Sequence, residues 1–337
     1  MTFDPRELNK VELHVHLDTC LSYHYLKKID PQITRTAFNR QFVAPKTCAD
    51  LGDFLSKIAP QIALLQTQQA IALAVDDLFA QLAADNVIYA ELRFAPLLHT
   101  RMGLTGEAVV ETVIAAMHDA SRTYGIGAGL ILCTLRHFDA AASLQTAGLV
   151  VNFLGRGVVA LDLAADEARY PLTNHVAAFR AVREAGGNVI AHAGEAKGAD
   201  SVRETLDQLR VSRIGHGVRS IEDAALVERL IATGVLLEIC PSCNLTCNLF
   251  DSIDDHPIDR LKKLGVRLNV NTDARTVADT TLNKEYWLLH DAFGWNDEDF
   301  NRCNRQALEA SFLDGDTKIK LMNKLNAGPR RPGTFQD

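Results

Sequence analysis

Along the chain, short apolar runs alternate with longer segments of helical period. The first run, Val11-Glu12-Leu13-His14-Val15-His16-Leu17-Asp18, is short and β-branched enough to read as a buried strand. A strand sends every second side chain to one face, so His14 and His16 fall together there. From 51 to 84 the pattern is helical with an interruption at Pro60, and Ile62, Leu65, Ile71, Val75, Leu78 and Leu82 keep near-helical spacing. A second strand is predicted over 86–94 and a long helix over 107–124. The alternation then continues, with strands expected at 129–135, 158–163, 188–191, 213–215, 235–239 and 266–270. Helical stretches at 282–293, 297–311 and 316–325 complete the pattern.

Eight strand-then-helix units have few compact solutions other than parallel strands joined by right-handed crossovers, and eight strands close a barrel. The expected fold is therefore α/β, a (β/α)8 TIM-like barrel with extra helices, forming one domain over residues 1–337. No Gly-x-Gly-x-x-Gly turn follows the first strand, which argues against a doubly wound open sheet. Barrels of this kind keep their reactive groups at the C-terminal ends of the strands. Here those ends carry His16, Arg93, His137, Asp162, His192, His216, Glu238 and Asp273.

Composition acts mainly by exclusion. The 337 residues are 47% hydrophobic and 23% charged, an ordinary globular balance. A net charge of -7 without a cationic run leaves no driving term for nucleic-acid binding. No leader-like start and no apolar run long enough to span a bilayer are seen, so a cytoplasmic protein without a membrane partner is expected. Seven cysteines, an odd number, fit reduced thiols. Cys240, Cys243 and Cys247 resemble a metal cluster superficially, but three thiols beginning at a Cys-Pro after a strand fit a loop better. Nothing in the composition sets the oligomeric state.

In a barrel, His14, His16, His192 and Asp273 can point at one spot above the mouth. Three imidazoles and a carboxylate suit zinc, which lowers the pKa of a bound water to about 7 and makes a nucleophile at neutral pH. Such a nucleophile needs groups that move protons. His192-Ala193-Gly194-Glu195 offers Glu195, with Gly194 allowing substrate to approach the backbone closely, and Ile214-Gly215-His216-Gly217 offers His216. A lysine at the end of the fourth strand, which bridges two metals in many related barrels, is absent, so one zinc ion per chain is expected.

These segments, together with Asp162-Leu163-Ala164, Cys240-Pro241 and Asn271-Thr272-Asp273, resemble the adenosine deaminases and their relatives that act on 6-aminopurines. The resemblance runs in the family's order over nearly the whole chain. It implies zinc ligands His14, His16, His192 and Asp273, with Asp162 as a carboxylate supporting the metal site. It implies that Glu195 protonates the purine N1, and that His216 orients the attacking water and takes its proton. Asp18 matches a residue that contacts the sugar, so the implied partner is a small-molecule purine nucleoside. Adenine, an N6-substituted adenine nucleotide or another modified nucleoside are the alternative substrates, and a purine-binding relative without catalysis is the alternative class. For a nucleotide, Arg93, Arg136 or Lys197 would have to meet the phosphate. Three positions depart from the family. Thr19 replaces a glycine. Ala165 also replaces a glycine whose N–H meets N3, a contact expected to survive only if its φ is negative. Ala274 replaces the acidic or amide residue that meets N7, so that either Arg275 or a water substitutes for it or the base differs from adenine at that edge.

Overall fold

The structure, a computed structural model, describes residues 3–328. Eight parallel strands lie in one sheet in chain order: β1 Lys10–His16, β2 Val87–Phe94, β3 Gly127–Leu135, β4 Val158–Ala164, β5 Asn188–Ala193, β6 Arg213–His216, β7 Leu236–Ile239 and β8 Leu268–Val270. The sheet curls back on itself. Beyond β8 the N–H of Asp273 donates to His14 O (2.9 Å) and that of His16 donates to Asp273 O (2.8 Å), so the last strand's exit joins the first strand. This is the (β/α)8 barrel that the repeat predicts.

The differences from the periodic reading are local. The stretch 51–84 is three helices, Leu51–Ser56, Ala59–Leu64 and Gln68–Ala84. Pro60 opens the second rather than breaking a longer one, since a missing N–H is harmless in a first turn. The third starts at Thr67, whose side chain accepts the N–H of Ala70. Ahead of them lie two further helices, Tyr23–Ile29 and Arg35–Phe42. Strands β5 and β6 run on to Ala193 and His216, which makes two of the strand-end groups, His192 and His216, part of the ladder itself.

Most apolar side chains pack between the sheet and the outer helices, and much of the barrel interior is occupied by charge. Arg93 on β2 reaches Glu238 on β7 (2.6 Å) and Asp162 on β4 (2.9 Å), strands that are not its neighbours, so these groups meet inside the barrel. Arg213 lies 2.5 Å from Glu91 and 2.7 Å from Glu238. Arg275 pairs with Glu12 (2.5 Å) and Asp85 (2.8 Å). All are buried. Pairing makes their burial tolerable, and losing one partner would strand the other's charge.

Immediately after β4 the chain turns through Ala165 at φ +76°, the left-handed region that a β-carbon disfavours. Two stability outcomes follow. Arg93→Met, which leaves Asp162 and Glu238 without their shared cation, is expected to cost about 3–5 kcal/mol in urea unfolding. Ala165→Gly is expected to gain about 1 kcal/mol in the same measurement, relief of the left-handed backbone outweighing the extra freedom of the unfolded chain.

Candidate active site

The strand ends bring His14 and His16 from β1, His192 from β5 and Asp273 beyond β8 around one point, with their ligand atoms within 4.8 Å of one another. The nitrogens facing away from that point are engaged on two of the rings. His14 Nδ1 lies 3.0 Å from Glu238 Oε2, and His192 Nδ1 lies 3.2 Å from Asp162 Oδ1. Each carboxylate draws the ring proton to Nδ1 and leaves the Nε2 lone pair aimed inward. Burial alone would raise both carboxyls, but Asp162 beside His192 and Arg93, and Glu238 beside Arg93 and Arg213, are held well below the usual carboxylate range.

The donor set fits a divalent metal. His14 Nε2 is fully buried and makes no hydrogen bond. His16 Nε2 and His192 Nε2 face each other at 3.3 Å, and Asp273 Oδ1 stands 3.3 Å from both His14 Nε2 and His16 Nε2. Burial pushes the His16 imidazole down to about 3, which keeps it neutral with a lone pair to give. Three imidazoles and one carboxylate around a common centre, with buried supporting groups behind two of the rings, match zinc's preferences.

Glu195 and His216 flank the same point. His216 Nε2 is 3.6 Å from Glu195 Oε1 and 3.8 Å from Asp273 Oδ2. Burial, then the charges of Asp273 and Glu167, push the Glu195 carboxyl well above its ordinary value, so it is held as the neutral acid. Burial pushes the His216 imidazole well below its ordinary value. Chain geometry is unusual at three of these strand ends, since Ala165, His216 and Asp273 all have positive φ.

The turn carrying Glu195 is organised by a residue the motif reading passed over. Glu167 accepts the backbone N–H groups of Gly194 (3.0 Å), Glu195 (2.7 Å) and Lys197 (2.8 Å) and the hydroxyl of Ser201 (2.6 Å). No local signal marks it, because its partners lie 27 or more residues away. Gly194 has a different reason from the one expected. Its φ is +66°, a β-carbon there would lie 2.3 Å from Val202 Cγ2, and it lines neither cavity described below. Gly215 does permit close approach, but of protein: a β-carbon would sit 3.0 Å from His14 Cε1.

Two adjoining cavities reach the site. The inner one, about 50 Å3, touches His192, Glu195, His216, Asp273 and Ala274. The outer one, about 280 Å3, is bounded by Asp18, Leu55, Ile58, Leu98, His137 and Tyr170 among others. Ala165 lines both, and its φ is positive, contrary to the sequence-based condition for its contact. Asp18 is tied to the N–H of Ala95 and to His99 Nε2, each at 3.4 Å.

Several suggested substitutes fall away. Arg275 is locked to Glu12 and Asp85 and cannot replace the polar group missing at Ala274, which packs among Leu51, Phe54, Cys243 and Cys247. Arg93 is committed beneath the histidines, Arg136 donates to His192 O (3.0 Å), and Lys197 lines neither cavity. Cys243 and Cys247 approach Glu195, but Cys243 donates to Asp273 Oδ2 (2.8 Å). Its contact with Cys247 and burial push its thiol well above its ordinary value. The described cysteines are all free.

Known proteins of the same design exist. The family model described as adenosine deaminase matches residues 9–328. The adenosine deaminase of Clostridium perfringens strain 13 is 34% identical over 321 residues, covering 93% of this chain and 97% of its own. That of Clostridium botulinum strain Hall is 33% identical over 329 residues, covering 95% and 98%. Among solved structures, an adenine deaminase from Arthrobacter aurescens superposes with a TM-score of 0.86 at 25% identity, over 95% of this chain and 98% of that one. An Arabidopsis N6-mAMP deaminase shares the fold with a TM-score of 0.85 at 22% identity, over 96% and 99%. A match spanning nearly the whole chain, with relatives above 30% identity over almost their full length, shows that the chain belongs to the adenosine deaminase family.

Proposed function

We propose that this chain, acting as one deaminase domain, replaces the 6-amino group of a purine nucleoside, adenosine or a near relative, with oxygen and releases ammonia. The observation that carries this reading is the pairing of a buried neutral Glu195 carboxyl with His216, 3.6 Å apart, beside a three-histidine, one-aspartate donor set. One zinc ion held by His14, His16, His192 and Asp273 would supply the Lewis acidity that makes water nucleophilic at neutral pH.

The chain's own groups do the rest. Glu195, kept protonated by burial, donates to the purine N1 and makes C6 electrophilic. His216 faces the incoming oxygen. Asp162, ionised beside Arg93, holds the His192 ring in its orientation. The Ala165 N–H, which has no protein acceptor among the described residues, is free to meet N3, its left-handed backbone notwithstanding. Asp18 lies in the outer cavity where the sugar would sit, and Gly194 serves by shaping the Glu195 turn. Water contributes its oxygen to C6, and the amine leaves as ammonia with the protons that balance the step.

A nucleoside suits the cavity better than a nucleotide. Arg169 is the one arginine or lysine lining the outer cavity among the described residues, and it already lies 3.2 Å from both Asp50 and Asp166. A phosphate would meet net negative charge there. The apolar wall at Ala274 offers nothing to N7, a loss on the order of 1–3 kcal/mol if unreplaced.

Ammonia release from adenosine, 2′-deoxyadenosine, adenine and AMP, by zinc-loaded and chelated protein, tests the proposal. Chelator-sensitive turnover is expected with the nucleosides, and AMP should be slower. Zinc-loaded protein that binds adenosine without releasing ammonia would identify a binding protein instead. Glu195→Gln is expected to keep its zinc and lose at least about 100-fold in kcat; undiminished turnover would remove Glu195 from the mechanism.

A further inference from the structure

On the side of His216 away from the cavity, a row of buried polar groups runs to a backbone amide. The N–H of Ile258 donates to His256 Nδ1 (3.2 Å). His256 Nε2 meets Asn244 Oδ1 at 3.1 Å, and Asn244 Nδ2 meets His216 Nδ1 at 3.0 Å. His256, Asn244 and His216 are 2%, 0% and 1% exposed, so a mismatched donor or acceptor anywhere in the row is costly.

The direction of this row is dictated from its far end. A backbone amide can only donate, so His256 Nδ1 must offer a lone pair. Burial pushes the His256 imidazole down to about 3, leaving it neutral with one ring proton, which therefore sits on Nε2. That proton needs an acceptor, and Asn244 presents its oxygen. The Asn244 amide nitrogen then faces His216 and donates, which makes His216 Nδ1 the acceptor. The remaining proton of a neutral His216 is on Nε2, directed at the site. Turning the Asn244 amide around gives no consistent alternative: its N–H would oppose the Nε2 proton of His256, and moving that proton to Nδ1 would oppose the N–H of Ile258.

We propose that Asn244 and His256 are positioning residues that lock His216 in its Nε2–H tautomer, so that the ring gives the oxygen nucleophile a hydrogen-bond donor and not a proton-accepting lone pair. The functional half of this statement rests on the deaminase reading; the tautomer does not. The assignment reverses the role that the family resemblance gives His216. Proton balance then falls to Glu195, which becomes a carboxylate on protonating N1 and, 3.6 Å from His216 Nε2, is placed to take the proton that water must lose.

The metal-loaded protein labelled with 15N at histidine reports the tautomer directly through ring nitrogen shifts and couplings, with His216→Asn identifying the His216 signals. Protons on Nε2 of both His216 and His256 are expected, and a proton on Nδ1 of His216 would overturn the assignment. Asn244→Asp places an acceptor opposite His216 Nδ1 and should move the proton there. It is expected to lower kcat on adenosine by about 100-fold with KM changed less than about 3-fold and metal content unchanged. Asn244→Ser, whose hydroxyl still donates, should recover much of that loss. Full activity in Asn244→Asp would show that the tautomer is immaterial. If Asn244→Asp does not fold, the wild-type spectrum decides alone. Wild-type protein inactive on every nucleoside would count against the deaminase reading and leave the spectrum to judge the tautomer.

Discussion

The guanidinium of Arg93, buried between Asp162 and Glu238, is the interaction on which the site depends. Without that cation, Asp162 would keep His192, and Glu238 would keep Arg213 and His14, to offset burial, and the ionised form of both would be less favoured. Ionised, each holds the Nδ1 side of one histidine and turns the other nitrogen inward. A charge behind these carboxylates therefore helps set the geometry of the donor set in front of them. Arg213, shared between Glu91 and Glu238, extends the same support down the barrel.

Environment divides the buried carboxyls into two kinds. Asp162 and Glu238 have arginine partners and Asp273 has the imidazoles, and all three are held below the ordinary range despite burial. Glu195 has no cation, faces Asp273 and Glu167, and is held above it. The same chemical group is thus held ionised in one place and protonated a few ångströms away. Glu167 contributes twice, since it gathers the N–H groups of the turn that carries Glu195 and adds the like charge that keeps that acid neutral.

Local strain accompanies this arrangement. Ala165, His216 and Asp273 occupy left-handed backbone where the chain leaves β4, β6 and β8, and two of these turns carry a polar side chain, that of His216 or Asp273, into the site. Such conformations persist only where surrounding contacts over-determine them. At His216 those contacts include Asn244, and at Asp273 they include the backbone bonds to His14 and His16 that close the barrel.

The sequence by itself determined what has a short period or a short span. The two-residue alternation placed His14 and His16 on one face, the count of strand-then-helix units specified an eight-stranded barrel, and the compact run from His192 to Glu195 put a candidate ligand and acid together. Tertiary structure alone decided which buried groups meet across the barrel. Arg93 joins partners 69 and 145 residues away, Arg275 turns from the substrate to Glu12, and Asn244 links His256 to His216. It also decided the sign of φ at Ala165 and the reason for Gly194. Periodicity is a property of neighbouring residues, whereas a hydrogen bond's direction or an ion pair's partner is settled only when closure of the sheet brings distant side chains into a space without water.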